Sequence, residues 1–450
     1  MTRNGYGHMV HDDFVDRLRQ VRAERRERLA AIRTRAQAEA YQRRVRKAIR
    51  RAFGPRPSKT PLNRQVTGII ETRDYRLEKL TFESRPGCLV TGHLYVPHSI
   101  DGKAPAVLGT CGHSDSGKLE PKYQGFCQRL VRNGHIVLIY DPFNQGERDQ
   151  YWPLSERDVV RNCCHAHNMM GKQLELVGEW FGMWRTWDGV RALDLLLARR
   201  DVDRTRVGLT GNSGGGTMTQ WLWATEPRFT MAAPSCFVTT FLNNLENELP
   251  ADCEQYPPGV IGAGLEMADF YIARAPEPVM LLGQKYCFFD RRGLQESFEE
   301  VRHFYDLLGA PPQASQVFLG GHGHGYHEDN QEAMVGFFAK HAGTSAKRLR
   351  DPVLLDEAEA LVTPKGNTID AGATPIYELV DDIAQNLSAE RPRLSATKLR
   401  SSVGAILCLP ERKNAPHFRI LRANRVEGQT VARYAVETGP GVVRAILHKP

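Results

Sequence analysis

The ten residues Val207-Gly-Leu-Thr-Gly-Asn-Ser-Gly-Gly-Gly216 constrain this chain more than any other stretch. A short apolar run stops at Gly211, and Ser213 follows two residues later. Three glycines then lead into Thr217-Met-Thr-Gln-Trp-Leu-Trp223. The order is strand, sharp turn, helix, with a serine at the bend. A serine on so tight a turn has strained backbone angles, and the crossing strand and helix leave little room for β-carbons beside it. The turn lifts the hydroxyl clear of the sheet and sets a helix N-terminus behind it. The G-x-S-x-G spacing is that of a nucleophile elbow. As a bare pattern it is common; its position between a strand and a helix makes it informative.

Around this turn the chain reads as alternating strands and helices. Strands are expected at Val66–Glu71, Tyr75–Glu83 and Leu89–Val96, the last two joined at Arg85-Pro-Gly87. From Ala104 apolar runs alternate with helical periods, which implies parallel strands with crossover helices. Those strands are Pro105–Thr110, Ile136–Tyr140, Arg206–Thr210, Thr230–Ser235, Val279–Gly283 and Gln316–Leu319. Helices are expected at Tyr123–Asn133, Asp188–Arg199, Leu294–Leu308 and Asn330–Lys340, with Asp141–Leu174 irregular. The fold class is α/β: a mostly parallel central sheet flanked by helices, the α/β-hydrolase arrangement, with a helical N-terminal extension.

Four segments are expected. Residues 1–60 are a basic helical extension ending at Phe53-Gly-Pro-Arg-Pro57, and residues 61–343 are the catalytic domain. Residues 344–398 form a linker with short helices. Residues 399–450 repeat the opening of the domain: Leu399 to Pro410 echoes Val45 to Pro55, and Val436-Glu-Thr-Gly-Pro-Gly441 echoes Phe82-Glu-Ser-Arg-Pro-Gly87. We read this tail as the start of a second, truncated copy.

The net charge of +8 raises the question of nucleic acid. Much of the basic excess sits in residues 17–57, where arginines are interspersed with Leu18, Val21, Leu29 and Ile32 and with few aromatics for base stacking. A packing helix fits better than a nucleic-acid arm, so no nucleic-acid partner is expected. No apolar run reaches the ~18–20 residues that span a bilayer, and the polar N-terminus lacks the pattern of a signal peptide. Nine cysteines without a C-x-x-C pair point to reduced thiols. A cytoplasmic protein without a membrane partner is expected.

A serine hydroxyl needs a base, and the base needs an acid to orient it. In this arrangement the order is serine, acid, histidine, on loops after successive strands. Asp290 is the first carboxylate beyond Val279–Gly283, with the alternative role of capping the next helix. Beyond Gln316–Leu319 lies Gly320-Gly-His-Gly-His-Gly-Tyr326. His324 is the first choice as base and His322 the second. A metal role for these two histidines lacks a matching third ligand, so no metal and no cofactor are expected. The oxyanion would be held by the N–H of Gly214 and by the N–H of His113 in Cys111-Gly-His-Ser114. Asp141 to Arg148 reads as a bracing turn. Trp180 and Trp184 are candidates for lining an acyl or sugar pocket, with core packing the competing role. Glu246 or Glu248 is the alternative acid, and Glu248 a candidate substrate contact.

Cys111-Gly-His-Ser-Asp-Ser-Gly-Lys118, Tyr140-Asp-Pro-Phe-Asn-Gln-Gly-Glu-Arg148, Gly211-Asn-Ser-Gly-Gly-Gly216 and His324-Gly-Tyr326 together resemble the bacterial acetyl-xylan-esterase-like and dienelactone-hydrolase-like α/β-hydrolases over about residues 40–342. The resemblance implies a carboxylic-ester hydrolase without cofactor, with Ser213, Asp290 and His324 as triad and a small-molecule or carbohydrate ester as substrate. The alternatives are a prolyl-oligopeptidase-like peptidase or amidase, and an inactive binding paralogue.

Overall fold

The computed structural model describes residues 8–152, 160, 163–249, 251–346, 350–408, 414–439 and 442–448. In chain order the elements are α1 (Met9–Ala30), α2 (Arg35–Phe53), β1 (Gln65–Glu71), β2 (Tyr75–Arg85), β3 (Cys88–Pro97), β4 (Ala104–Thr110), α3 (Pro121–Arg132) and β5 (Ile136–Tyr140). Next come α4 (Cys163–Leu176), α5 (Phe181–Leu197), β6 (Val202–Asn212), α6 (Gly214–Thr225), β7 (Met231–Ser235), α7 (Phe241–Glu246) and α8 (Met267–Ile272). The rest are β8 (Val279–Tyr286), α9 (Arg291–Leu307), β9 (Ser315–Gly323), α10 (Glu328–Ala342), α11 (Glu357–Ala360), α12 (Ile376–Ala389), α13 (Ala396–Leu407), β10 (Phe418–Val426), β11 (Gln429–Gly439) and β12 (Val442–His448).

Nine strands form one sheet in the order β1-β2-β3-β5-β4-β6-β7-β8-β9. The first three enter as an antiparallel meander, and β3 also pairs antiparallel with β5. From β5 to β9 every pairing is parallel. β4 and β5 are buried along their whole length, as expected of strands covered by helices on both faces. That explains their unbroken Ala-Val-Leu and Ile-Val-Leu-Ile runs. This is the α/β arrangement expected, and each strand anticipated from the apolar runs is present.

Two boundaries differ from the expectation. The segment 141–174 is not irregular throughout, because α4 starts at Cys163; residues 153–159 and 161–162 lie outside the described residues. α5 starts at Phe181, seven residues before Asp188. Its apolar residues point to all sides because the helix is almost wholly buried, which erased the one-faced period that a surface helix shows.

The chain divides into a larger unit, Arg25–Gln385, and a smaller one, Met1–Glu24 with Asn386–Pro450. In the larger unit the basic helix α2 is a packing element. Gln42 donates to the carbonyls of Ile272 and Ala275, Tyr41 donates to Asp269 at 2.8 Å, and Phe53 meets the ring of Trp221. Arg25, 1 % exposed, bridges Asp269 and Glu300. Residues 350–385 are likewise tied to the sheet domain: Val353 N–H bonds Gln128, and Thr363 N–H and hydroxyl bond Glu147. The smaller unit carries α13 and the antiparallel sheet β10-β11-β12, the same order of helix and three strands as α2 and β1–β3. Pro410, Pro440 and Gly441, which carry part of that likeness, lie outside the described residues.

Candidate active site

Sheet order reverses direction at β4, with β5 on one side and β6 on the other. In open α/β sheets ligands bind beyond the carboxyl ends of the strands at such a point. Ser213 stands there, one residue past β6, with φ 58° and ψ −122°. A non-glycine residue at positive φ costs about 1–3 kcal/mol and persists only when its surroundings fix it. Here they do: Ser213 N–H bonds Ser235 O at 2.9 Å, and its own carbonyl accepts from Thr217 N–H at 2.9 Å. The neighbouring glycine is sterically required, since a β-carbon on Gly215 would lie 2.2 Å from the carbonyl oxygen of Thr110.

The turn after β4 abuts the serine. A β-carbon on Gly112 would sit 3.0 Å from Ser213 Cβ, and one on Gly214 would meet the His113 ring at 2.8 Å. The Asp141–Arg148 turn braces this turn from behind. Gln145 donates to Gly112 O at 2.6 Å and to Ser114 O at 2.8 Å. Lys118, fully buried, bonds Asp141 at 2.5 Å and Glu147 at 2.6 Å. Burial alone would push the ammonium's pKa down, but the two carboxylates outweigh it and the pKa is raised.

The side chain of His113 enters a buried charge network that the sequence did not reveal. Its Nε2 lies 2.9 Å from Asp252, 3.1 Å from Glu254 and 3.2 Å from His167 Nδ1. Burial works against the imidazolium, yet bonds to Asp252 and Glu254 win and raise His113 to about 10. His167 faces the carbonyl of Phe143 through Nε2 at 2.8 Å. Its Nδ1 lies 3.1 Å from Glu254 as well as facing His113, and burial, ahead of the Glu254 charge that opposes it, pushes its pKa down. Arg185, 2 % exposed, also bonds Glu254. Two cations thus face two carboxylates. Asp252 and Glu254 lie 139 and 141 positions from His113, so no local motif marks them.

His324 follows β9 and is half-buried. Burial, then the charge of Lys122, hold its pKa down at about 4. Its Nδ1 lies 3.1 Å from Cys287 Sγ, and its ring stacks on Phe288 with 4.1 Å between centroids. Cys236, next to the Ser235 that holds Ser213, completes a cluster in which Cys236 Sγ, Cys287 Sγ and a ring nitrogen of His324 lie within 4.8 Å of one another. Asp290 caps α9 through Arg292 N–H at 2.8 Å and pairs with the Arg292 guanidinium at 2.6 Å. That pairing, ahead of a burial effect of opposite sign, holds its pKa down. Its carboxylate is therefore engaged with α9 while His324 faces a thiol.

The remaining candidates are placed as follows. His322 is exposed, 3.8 Å from Asp329 and stacked on His327. Glu246 and Glu248 are exposed around the end of α7. Trp184 is 2 % exposed, bonds Glu179 at 2.7 Å and carries the Arg85 guanidinium 4.0 Å above its ring; burial makes it a core residue. Trp180 donates to Cys253 O at 2.7 Å and packs on Phe53, so it anchors the loop that bears Asp252 and Glu254. Among the described residues, two clusters have the donors for a metal ion: Cys236, Cys287 and His324, and His113, His167, Asp252 and Glu254. The nine cysteines are all free thiols. Among the described residues no helix is long and apolar enough to cross a membrane.

The model of the prolyl oligopeptidase family matches residues 171–258, a span that contains Ser213 and Glu254 but neither Asp290 nor His324. The Bacillus subtilis (strain 168) protein YtaP, a hydrolase by its name, is 26 % identical over 201 residues; these make up 42 % of this chain and 62 % of YtaP. The chain therefore spans less than two thirds of that relative. Among solved structures, Methylesterase BT1017 superposes with a TM-score of 0.63 at 20 % identity, covering 82 % of this chain and 81 % of its own. A candidate acetyl xylan esterase from Bacteroides fragilis NCTC 9343 gives 0.51 at 19 % identity, covering 64 % and 76 %. At such identities the likeness speaks for the architecture. Together with the parallel sheet and the strained serine at its switch point, it establishes the architecture: the chain has the α/β-hydrolase fold.

Proposed function

We propose that this protein is a serine hydrolase that cleaves carboxylic esters, with acetylated carbohydrates as the first substrates to test. The observation that carries the reading is Ser213: a positive-φ serine at the carboxyl end of the central strand, at the head of α6 and against the Cys111–Ser114 turn. Relatives named as esterases and as a hydrolase support it.

In the proposed mechanism Ser213 Oγ attacks the ester carbonyl. His324, neutral above about pH 4, takes the hydroxyl proton and returns it to the leaving alcohol. The N–H groups of Gly214 and His113 receive the oxyanion. Water then attacks the acyl-enzyme with His324 again as base. Asp290 is the proposed orienting acid, which requires its carboxylate to leave Arg292 and turn to His324. Replacing Asp290 by Asn and, separately, Glu246 and Glu248 by Gln identifies the acid: the expected result is a large loss of kcat in D290N alone. Retention of kcat in D290N would remove Asp290 from the mechanism.

The match to the prolyl oligopeptidase family over the elbow favours amide cleavage as the second reading. An acetylated sugar assayed beside a peptide anilide separates the two; faster turnover of the anilide would replace the esterase reading.

A further inference from the structure

The loops after β7, β8 and β9 each contribute one soft donor to the same point. Cys236, Cys287 and His324 come from positions far apart in the chain, and their ligand atoms lie within 4.8 Å of one another. Zinc binds thiolate sulfur at ~2.3 Å and imidazole nitrogen at ~2.0–2.1 Å in tetrahedral geometry, which puts neighbouring donors ~3.5–3.8 Å apart. The Cys287–His324 separation of 3.1 Å reaches that spacing by opening a few tenths of an ångström. We propose that Cys236, Cys287 and His324 bind one thiophilic divalent cation of the zinc type, and that the bound ion arrests ester cleavage. The second half of the proposal rests on the reading of His324 as base.

The surroundings are those of a built site. The His324 ring packs against Phe288 at 4.1 Å and Phe289 at 5.8 Å. Cys236 is fixed at φ 48° by its N–H on Leu282 O at 2.9 Å. Two sulfurs and one imidazole select zinc-like ions over magnesium or calcium, which take oxygen ligands. The His113 cluster is a weaker candidate, because Arg185 and the His113 proton already neutralise its carboxylates.

Binding is without redox change. Two metal–sulfur bonds and one metal–nitrogen bond form, the two thiol protons pass to solvent, and a water or a substrate oxygen takes the fourth position. Coordination uses the Nδ1 lone pair of the neutral ring, so the proton moves to Nε2. With both nitrogens occupied, His324 has no lone pair left for the Ser213 proton.

The test uses the full chain, freed of metal with a chelator and kept reduced by a phosphine, and titrated with Co2+. Thiolate-to-cobalt charge transfer in the near ultraviolet, saturating at one equivalent and displaced by Zn2+, is the expected result. The band should be lost in both C236S and C287S and weakened in H324A. Absence of the band, its persistence in both cysteine variants, or cobalt bound without sulfur and lost in H167A would overturn the site. In parallel, one equivalent of Zn2+ should lower ester turnover by about 100-fold or more, the scale of a general base, and chelator should restore it. A cobalt band at both cysteines with no zinc inhibition would leave the site standing and refute His324 as base. No band, with H324A inactive, would keep the base and refute the metal site.

Discussion

Glu254→Gln removes one charge from the network beneath Ser213 while keeping the side chain's shape. Glu254 is fully buried, and its carboxylate faces His113, His167 and Arg185. Raising His113 from 6.5 to about 10 corresponds to about 5 kcal/mol favouring the imidazolium, divided between Asp252 and Glu254. Losing the Glu254 share and leaving Arg185, 2 % exposed, short of its partner gives an expected destabilisation of about 3–5 kcal/mol, the scale found when one member of a buried ion pair is removed. The pH dependence has a definite sign. A group whose folded pKa is raised contributes fully below its unfolded pKa, here about 6.5, and loses the contribution as pH rises through about 10. The gap between wild type and E254Q should therefore be widest below about pH 6.5 and narrow as the pH rises towards 10. Urea unfolding followed by tryptophan fluorescence is suited to this, since Trp221 donates to Glu254 O at 2.9 Å and Trp180 to Cys253 O. A loss under about 1 kcal/mol, or a gap that does not narrow with rising pH, would refute this picture of the network.

Three further outcomes follow from the same geometry. Gly215→Ala forces a β-carbon to 2.2 Å from the Thr110 carbonyl, a backbone atom that cannot swing away. The expected cost is at least about 1–3 kcal/mol with loss of ester turnover, read by thermal denaturation and kinetics. Lys118→Met leaves Asp141 and Glu147 buried without their cation. It should cost about 3–5 kcal/mol, as measured by urea midpoints. His324→Ala should lower kcat by about 100-fold or more. His322→Ala, at an exposed ring, should leave kcat within about 3-fold, because a surface side chain away from the reacting atoms has little to remove.

The elbow was legible because its constraint is local: Gly211, Ser213 and Gly215 sit within five residues, and the strain that demands them acts over the same distance. The order of strands was legible for a related reason, since β4 and β5 are buried on both faces and read as continuous apolar runs. The His113 network was not, because its members lie far apart along the chain and meet only after folding. A lone Glu254 in Ala251-Asp-Cys-Glu254 gives no periodic signal. The partner of His324 was hidden for another reason. Asp290 is the first carboxylate after β8 in the sequence, whereas in the structure Cys287, three residues earlier, faces the ring. The tryptophans were ambiguous by composition alone. Trp184 resolves into the core because its indole N–H finds Glu179, as a buried tryptophan requires.

The most direct test of the central claim is Ser213→Ala, compared with wild type for hydrolysis of p-nitrophenyl acetate and of an acetylated sugar, and for labelling by a fluorophosphonate. Wild type is predicted to turn over ester and to be labelled at Ser213, while S213A is correctly folded, unlabelled and without turnover above background. Unchanged turnover and labelling in S213A would contradict the assignment of Ser213 as nucleophile.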